Sequence, residues 1–240
     1  MSFVEELKSA STKYGLSLSE KQLEQFNRYF ELLVDWNTRM NLTAITEPHD
    51  VAVKHIVDSL SCWRGDYFKA DASVIDVGTG AGFPGIPLKI FQPGLKLTLL
   101  DSLKKRINFL QTVVDELELT DVTCIHSRAE EGANNKNLRE GFDIAVSRAV
   151  ARMTVLSEYC MPFVKKGGYF AALKGMKFAE EREEALKAIQ ILGGRVADTM
   201  EVKLPDLDDK RAVIYVQKVK NTPKAYPRRA GIPDKNPLGV

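Results

Sequence analysis

The segment Ser73-Val-Ile-Asp-Val-Gly-Thr-Gly-Ala-Gly-Phe-Pro-Gly85 constrains the fold more than any other part of the chain. Its apolar run reads as a buried strand, and the glycines that interrupt it let a ligand come close to the backbone. Pro84 is placed to open a helix. A second apolar run, Leu97-Thr-Leu-Leu, ends at Asp101, where a carboxylate can accept from both hydroxyls of a ribose. Strand, glycine loop, helix and a second strand ending in an acid form the layout of a nucleoside-cofactor site.

Two cofactor classes use that layout. Gly80-Ala-Gly82-Phe-Pro-Gly85 satisfies the dinucleotide expression, and Asp101 lies near the expected offset. Asp76 tips the balance, because a fixed carboxylate at the mouth of the loop repels a pyrophosphate and attracts the ammonium of a methionine moiety. S-adenosylmethionine (SAM) is therefore expected over a nicotinamide dinucleotide. Asp76, Gly78, Gly80 and Asp101 are its candidate contacts, with a turn cap at Asp76 and a plain strand end at Asp101 as the bland alternatives.

Residues 1–66 read as a small helical part. Ser19 with Gln22 makes a capping box, and Leu23, Phe26, Phe30, Leu33 and Val34 follow helical spacing to about Arg39. A polar loop, Asn41-Leu-Thr-Ala44, precedes Pro48, which can begin another helix. Residues 67–220 alternate short β-rich runs near 73–77, 97–101, 121–125, 142–146 and 168–173 with helices, the pattern of a parallel α/β sheet. After a helix near 177–191, the runs Arg195–Lys203 and Ala212–Val219 come without a helix between them, which predicts an antiparallel closure. Residues 221–240, with four prolines, read as an extended basic tail.

The formal charge is +2, yet from Lys218 onward six cations face one acid, so the rest of the chain is net acidic. Such a tail suits a polyanionic partner or a solvated end, with Lys224, Arg228 and Arg229 as RNA-binding candidates. The amphipathic acidic N-terminus and the lack of any apolar run near ~18 residues point to a cytoplasmic chain with no membrane span. Three scattered cysteines and three scattered histidines suggest neither a disulfide framework nor a metal site.

Taken jointly, Arg39-Met-Asn-Leu-Thr-Ala44, Lys54-His-Ile-Val-Asp-Ser-Leu60, the glycine loop, Ser147-Arg-Ala149, Leu173-Lys-Gly175 and Tyr226-Pro-Arg-Arg-Ala-Gly-Ile-Pro233 resemble the bacterial 16S rRNA guanine-N7 methyltransferases, also called glucose-inhibited division protein B. The resemblance implies a Rossmann-like SAM-dependent methyltransferase fold, with a mostly parallel seven-stranded sheet, an antiparallel C-terminal strand and a small helical N-terminal part. It implies methylation of a guanine of the 530 loop, and 16S rRNA or the small ribosomal subunit as partner; a monomer is expected. The family pattern puts cofactor contacts at Gly78, Phe83, Ala129 with Glu130, and Arg148, and offers Asn41, Lys174 and Arg148 as guanine-positioning candidates.

Guanine N7 carries an in-plane lone pair and needs no general base, so alignment with the S–CH3 bond becomes the main task of such a site. No single catalytic residue is assigned on this reading. A non-catalytic RNA-binding protein on the same fold and a nicotinamide-dependent reductase are the competing expectations.

Overall fold

A computed structural model describes residues 1–239. Seven strands, β1 (Ser73–Val77), β2 (Lys96–Asp101), β3 (Val122–His126), β4 (Phe142–Arg148), β5 (Val164–Lys174), β6 (Gly194–Val202) and β7 (Arg211–Lys218), form one sheet. Their order is β3-β2-β1-β4-β5-β7-β6. The joints from β3 to β5 are parallel, while β7 runs antiparallel to both β5 and β6. The expected antiparallel closure is present, with the last strand inserted beside β5 instead of added at the edge.

Strand alternation divides the core between the two faces. Val74 joins a cluster containing Leu97, Leu99, Phe26 and Leu33, whereas Ile75 and Val77 join another with Leu156, Phe170 and Ile214. Helices α1 (Phe3–Tyr14) and α2 (Glu20–Asn37) thus share a core with the sheet. Each begins with a capping box, Ser2 with Glu5 and Ser19 with Gln22; α2 stops two residues short of Arg39. The side chain of Asn37 then accepts from the amides of Leu42 and Thr43, at 2.8 and 3.0 Å, which turns the chain sharply after the helix.

Pro48 does open a helix. α3 (Pro48–Val51) runs into a π-helical stretch, Ala52–Val57, and on into α4 (Asp58–Leu60). The widened turn carries Lys54 and His55 toward the end of β4, and π-bulges of this kind gather at functional sites.

The tail is not extended. Thr222, Pro227, Pro233 and Leu238 are buried, and a short helix, Ile232–Lys235, closes against the domain. Lys218, the first of the six C-terminal cations, is buried at the end of β7, where Nζ donates to Met161 O and Thr222 Oγ1 at 2.6 Å each. Among the described residues no helix is long and apolar enough to cross a membrane, and no group of side chains is arranged to hold a metal ion.

Candidate active site

Strands β1, β2 and β3 step one way along the sheet and β4 returns on the other side of β1, so the connections diverge beyond the carboxyl ends of β1 and β4. Ligands bind at such switch points. A cleft of about 580 Å³ opens there, lined by the ends of β1, β2 and β4, the loop after β3, Thr43 and His55.

The glycine loop forms its floor. Gly78, Gly80 and Gly82 have φ of +71°, +61° and +104°, a region side chains rarely adopt. A Cβ on Gly80 would meet nothing within 4 Å, so the backbone there faces open cleft, whereas one on Gly78 would lie 2.6 Å from Val150 Cγ2.

Asp76 corrects the sequence reading. It is fully buried beneath the loop and does not line the cleft. Its Oδ2 accepts from Thr79 Oγ1 at 2.7 Å and from the Gly85 amide at 2.8 Å, so the carboxyl ties the loop to the helix that follows. Burial pushes its pKa up to about 7 against the pull of those two bonds. The charge expected to select a methionine ammonium at the loop mouth is instead an internal tether, and among the described residues Oδ1 has no partner.

Asp101 does line the cleft. Oδ2 accepts from the Gly80 amide at 2.9 Å and from Arg106 at 3.3 Å, and Oδ1 accepts from the Leu103 amide at 2.9 Å. A carboxylate has about four acceptor sites, so one remains for a ribose hydroxyl, and a second is freed if the half-exposed Arg106 swings away. Beyond it, Ala129 and Glu130 flank the same end of the cleft. Glu130 is buried, not solvated, and accepts from the Gly231 amide at 3.0 Å. Through that bond the tail walls the cleft, with Gly231 and Asp234 in its lining.

At the opposite end stands Arg148. Its Nη1 donates to Lys54 O and to Asp58 Oδ2, each at 2.8 Å, and Nη2 lies 3.2 Å from His55 Nδ1. The guanidinium also sits 5.0 Å from the Phe83 ring centroid, and the His55 ring stacks on Phe83 with centroids 4.5 Å apart. Phe83, Arg148 and His55 therefore form one packed wall. The next residue, Ala149, has φ +55°, an uncommon conformation for a residue with a Cβ.

The remaining candidates disperse. Asn41 is exposed and lines no part of the cleft; its neighbours Leu42 and Thr43 do. Lys174 is nearly buried in an adjoining cavity of about 510 Å³, where it bonds Ala151 O and pairs with Glu181 at 2.6 Å. Arg228 is bound to the buried Glu158 through Nε and Nη2, at 2.9 and 2.6 Å, so it braces the domain and is no free phosphate contact. Lys224 and Arg229 are exposed.

A sequence model of the rRNA small subunit methyltransferase G family matches residues 22–213. The chain belongs to that family. A relative in Lactobacillus johnsonii named ribosomal RNA small subunit methyltransferase G is 52% identical, covering 94% of this chain and 95% of its own. Among solved structures, a 16S rRNA (adenine(1408)-N(1))-methyltransferase variant from Catenulisporales acidiphilia aligns with TM-score 0.52 at 15% identity, covering 64% of this chain and 87% of that one. A geranyl diphosphate C-methyltransferase from Streptomyces coelicolor, in complex with S-adenosyl-L-homocysteine, aligns with TM-score 0.51 at 12% identity, covering 68% and 77%. Those likenesses are of fold. For a member of a methyltransferase family, the reductase and non-catalytic readings of the sequence fall away.

Proposed function

We propose that this methyltransferase family member transfers the methyl group of SAM to N7 of a guanine in the 530 loop of 16S rRNA. The residues of the cleft suit that cofactor. Gly80 leaves open space for close backbone approach, Asp101 offers an acceptor to a ribose hydroxyl, and Ala129 with Glu130 can meet an adenine edge through backbone and carboxylate. SAM bound this way would supply an electrophilic methyl on a sulfonium. Phe83, His55 and Arg148, at the β1 and β4 end of the cleft, would then hold its methionine end.

What carries the N7 reading is the chemistry of that wall. His55 is held neutral, its pKa lowered to about 3 by burial and by Arg148, and its Nδ1 lone pair already faces the guanidinium. The carboxylates that line the cleft, Asp101, Glu130 and Asp234, would then flank the adenosine. Among the described residues that line this wall there is no free base for a nucleophile that must first lose a proton, whereas guanine N7 would attack with its own lone pair. The protein then has to exclude water and align the base. Lys224 and Arg229 extend the contact by meeting phosphates outside the cleft.

Incubation of the protein with tritiated SAM and undermethylated 16S rRNA, followed by mapping of the labelled nucleotide, tests the proposal. Label on N7 of a guanine in the 530 loop is expected. Label on another base or another atom would refute it.

A further inference from the structure

Thr43 lies at the cleft edge, half-buried, with His55 Nε2 2.8 Å from its Oγ1 and the Ile45 amide donating to the same oxygen at 3.0 Å. The direction of the first bond follows from the far side of the ring. Arg148 offers only hydrogens, so the Nδ1 atom that it approaches at 3.2 Å is unprotonated and the proton of the neutral imidazole is on Nε2. The opposite tautomer would set an Nδ1 hydrogen against the hydrogens of Arg148 Nη2, with only the adjoining carbonyl, Lys54 O at 3.2 Å and shared with Nη1 of that arginine, to receive it. His55 therefore donates to Thr43.

A hydroxyl has two acceptor lone pairs and one hydrogen. In Thr43 both lone pairs are taken, by His55 and Ile45, and among the described residues no acceptor receives the hydrogen. A threonine that ordinarily adapts as donor or acceptor is thus fixed as a donor at the methyl end of the cleft.

We infer that Thr43 donates to O6 of the target guanine and so selects guanine over adenine. This inference rests on the N7 reading proposed above. O6 neighbours N7 on the same edge of the base, while adenine presents an N6 amino group there, whose hydrogens would meet the Thr43 hydrogen head-on. A donor on O6 draws electron density from the ring, so Thr43 is a positioning residue that fixes orientation and identity and does not activate N7. Arg148 acts through it: guanidinium, imidazole and hydroxyl form one relay of fixed polarity that starts on β4 and ends at the base.

The test compares wild type, Thr43→Ser and Thr43→Val on 16S rRNA carrying either guanine or 2-aminopurine, which keeps N7 and lacks O6, at the mapped nucleotide. Single-turnover rates are measured at saturating SAM. Wild type and Thr43→Ser should prefer guanine over 2-aminopurine, and Thr43→Val should lose roughly tenfold of that preference, the size of one neutral hydrogen bond. A Thr43→Val protein that binds SAM normally and keeps the full preference overturns the inference. Two readouts on wild type alone hold even if that variant fails to fold: equal rates on both bases, or nitrogen NMR showing the His55 proton on Nδ1, overturn it as well. A wild-type product with no methyl on guanine N7 sinks the functional proposal itself, which separates the two failures.

Discussion

Arg148 Nη2 faces His55 Nδ1 across 3.2 Å, and the encounter sets the charge of the cleft wall. Burial first, then the guanidinium, lowers the His55 pKa from 6.5 to about 3. Between those values the unfolded chain binds a proton that the folded chain refuses, so His55 makes stability fall as the solution is acidified through that window. A His55→Gln variant, which keeps a donor and an acceptor but does not titrate, should lose less stability on acidification than wild type. Urea unfolding at intervals from about pH 6.5 to 4 checks this; parallel curves for the two proteins would refute it.

Asp76 has the opposite sign. Its folded pKa, raised from 3.8 to about 7, means that the folded chain keeps a proton the unfolded chain has lost, so its contribution falls as pH rises through that interval. Asp76→Asn retains an oxygen for Thr79 and the Gly85 amide. The variant should gain on wild type steadily between about pH 4 and 7 and hold a constant advantage above it. An advantage that shrinks with rising pH would show that the carboxylate is stabilised as an ion.

For the proposed cofactor end, Gly80→Val places a β-branched residue at φ +61° and puts its side chain into open cleft, while Asp101→Ala removes the proposed ribose acceptor and frees the Gly80 and Leu103 amides. Each should raise the Kd for SAM at least about tenfold, the cost of one or two charge-assisted hydrogen bonds or of a blocked approach. The backbone strain at Gly80→Val costs about 1–3 kcal/mol of stability, so calorimetric titration is run well below its Tm. Unchanged affinity in both folded variants would remove SAM from this cleft.

Much of this architecture is legible in the sequence because its signals are local. Glycines at positive φ, an acid ending β2 and a capping box at Ser19 each act within a few residues, and the periodicity of the strands fixes the sheet. The burial of Asp76 is not legible for a physical reason: spacing along the chain says that a carboxylate lies next to the loop but not whether it points above or below it. The partners of Arg148 were equally hidden, since Lys54, His55 and Asp58 lie about 90 residues away and approach only through the π-helical turn. Gly231 and Asp234 reach the cleft because the tail folds back, and no local pattern in a proline-rich terminus announces that.

The tail supplies the last prediction. Glu158 is 1% exposed and receives Arg228 through its backbone amide, Nε and Nη2. Removing the guanidinium strands a buried carboxylate, which typically costs about 3–5 kcal/mol, and at roughly 2–4 °C per kcal/mol for a domain of this size Arg228→Ala should melt about 6–20 °C lower. Lys224 and Arg229 are exposed, and neutralising each phosphate contact on single-stranded RNA contributes about 0.7 to the slope of log affinity against log salt. The double variant Lys224→Ala/Arg229→Ala should therefore lose about 1.4 units of slope with its Tm close to wild type, while folded Arg228→Ala keeps the slope. Binding isotherms on 16S rRNA at four salt concentrations, run beside melting curves, separate the roles. A flattened slope in Arg228→Ala without a lowered Tm would mean that the arginine leaves Glu158 for the RNA, and the brace would have to be reassigned as a phosphate contact.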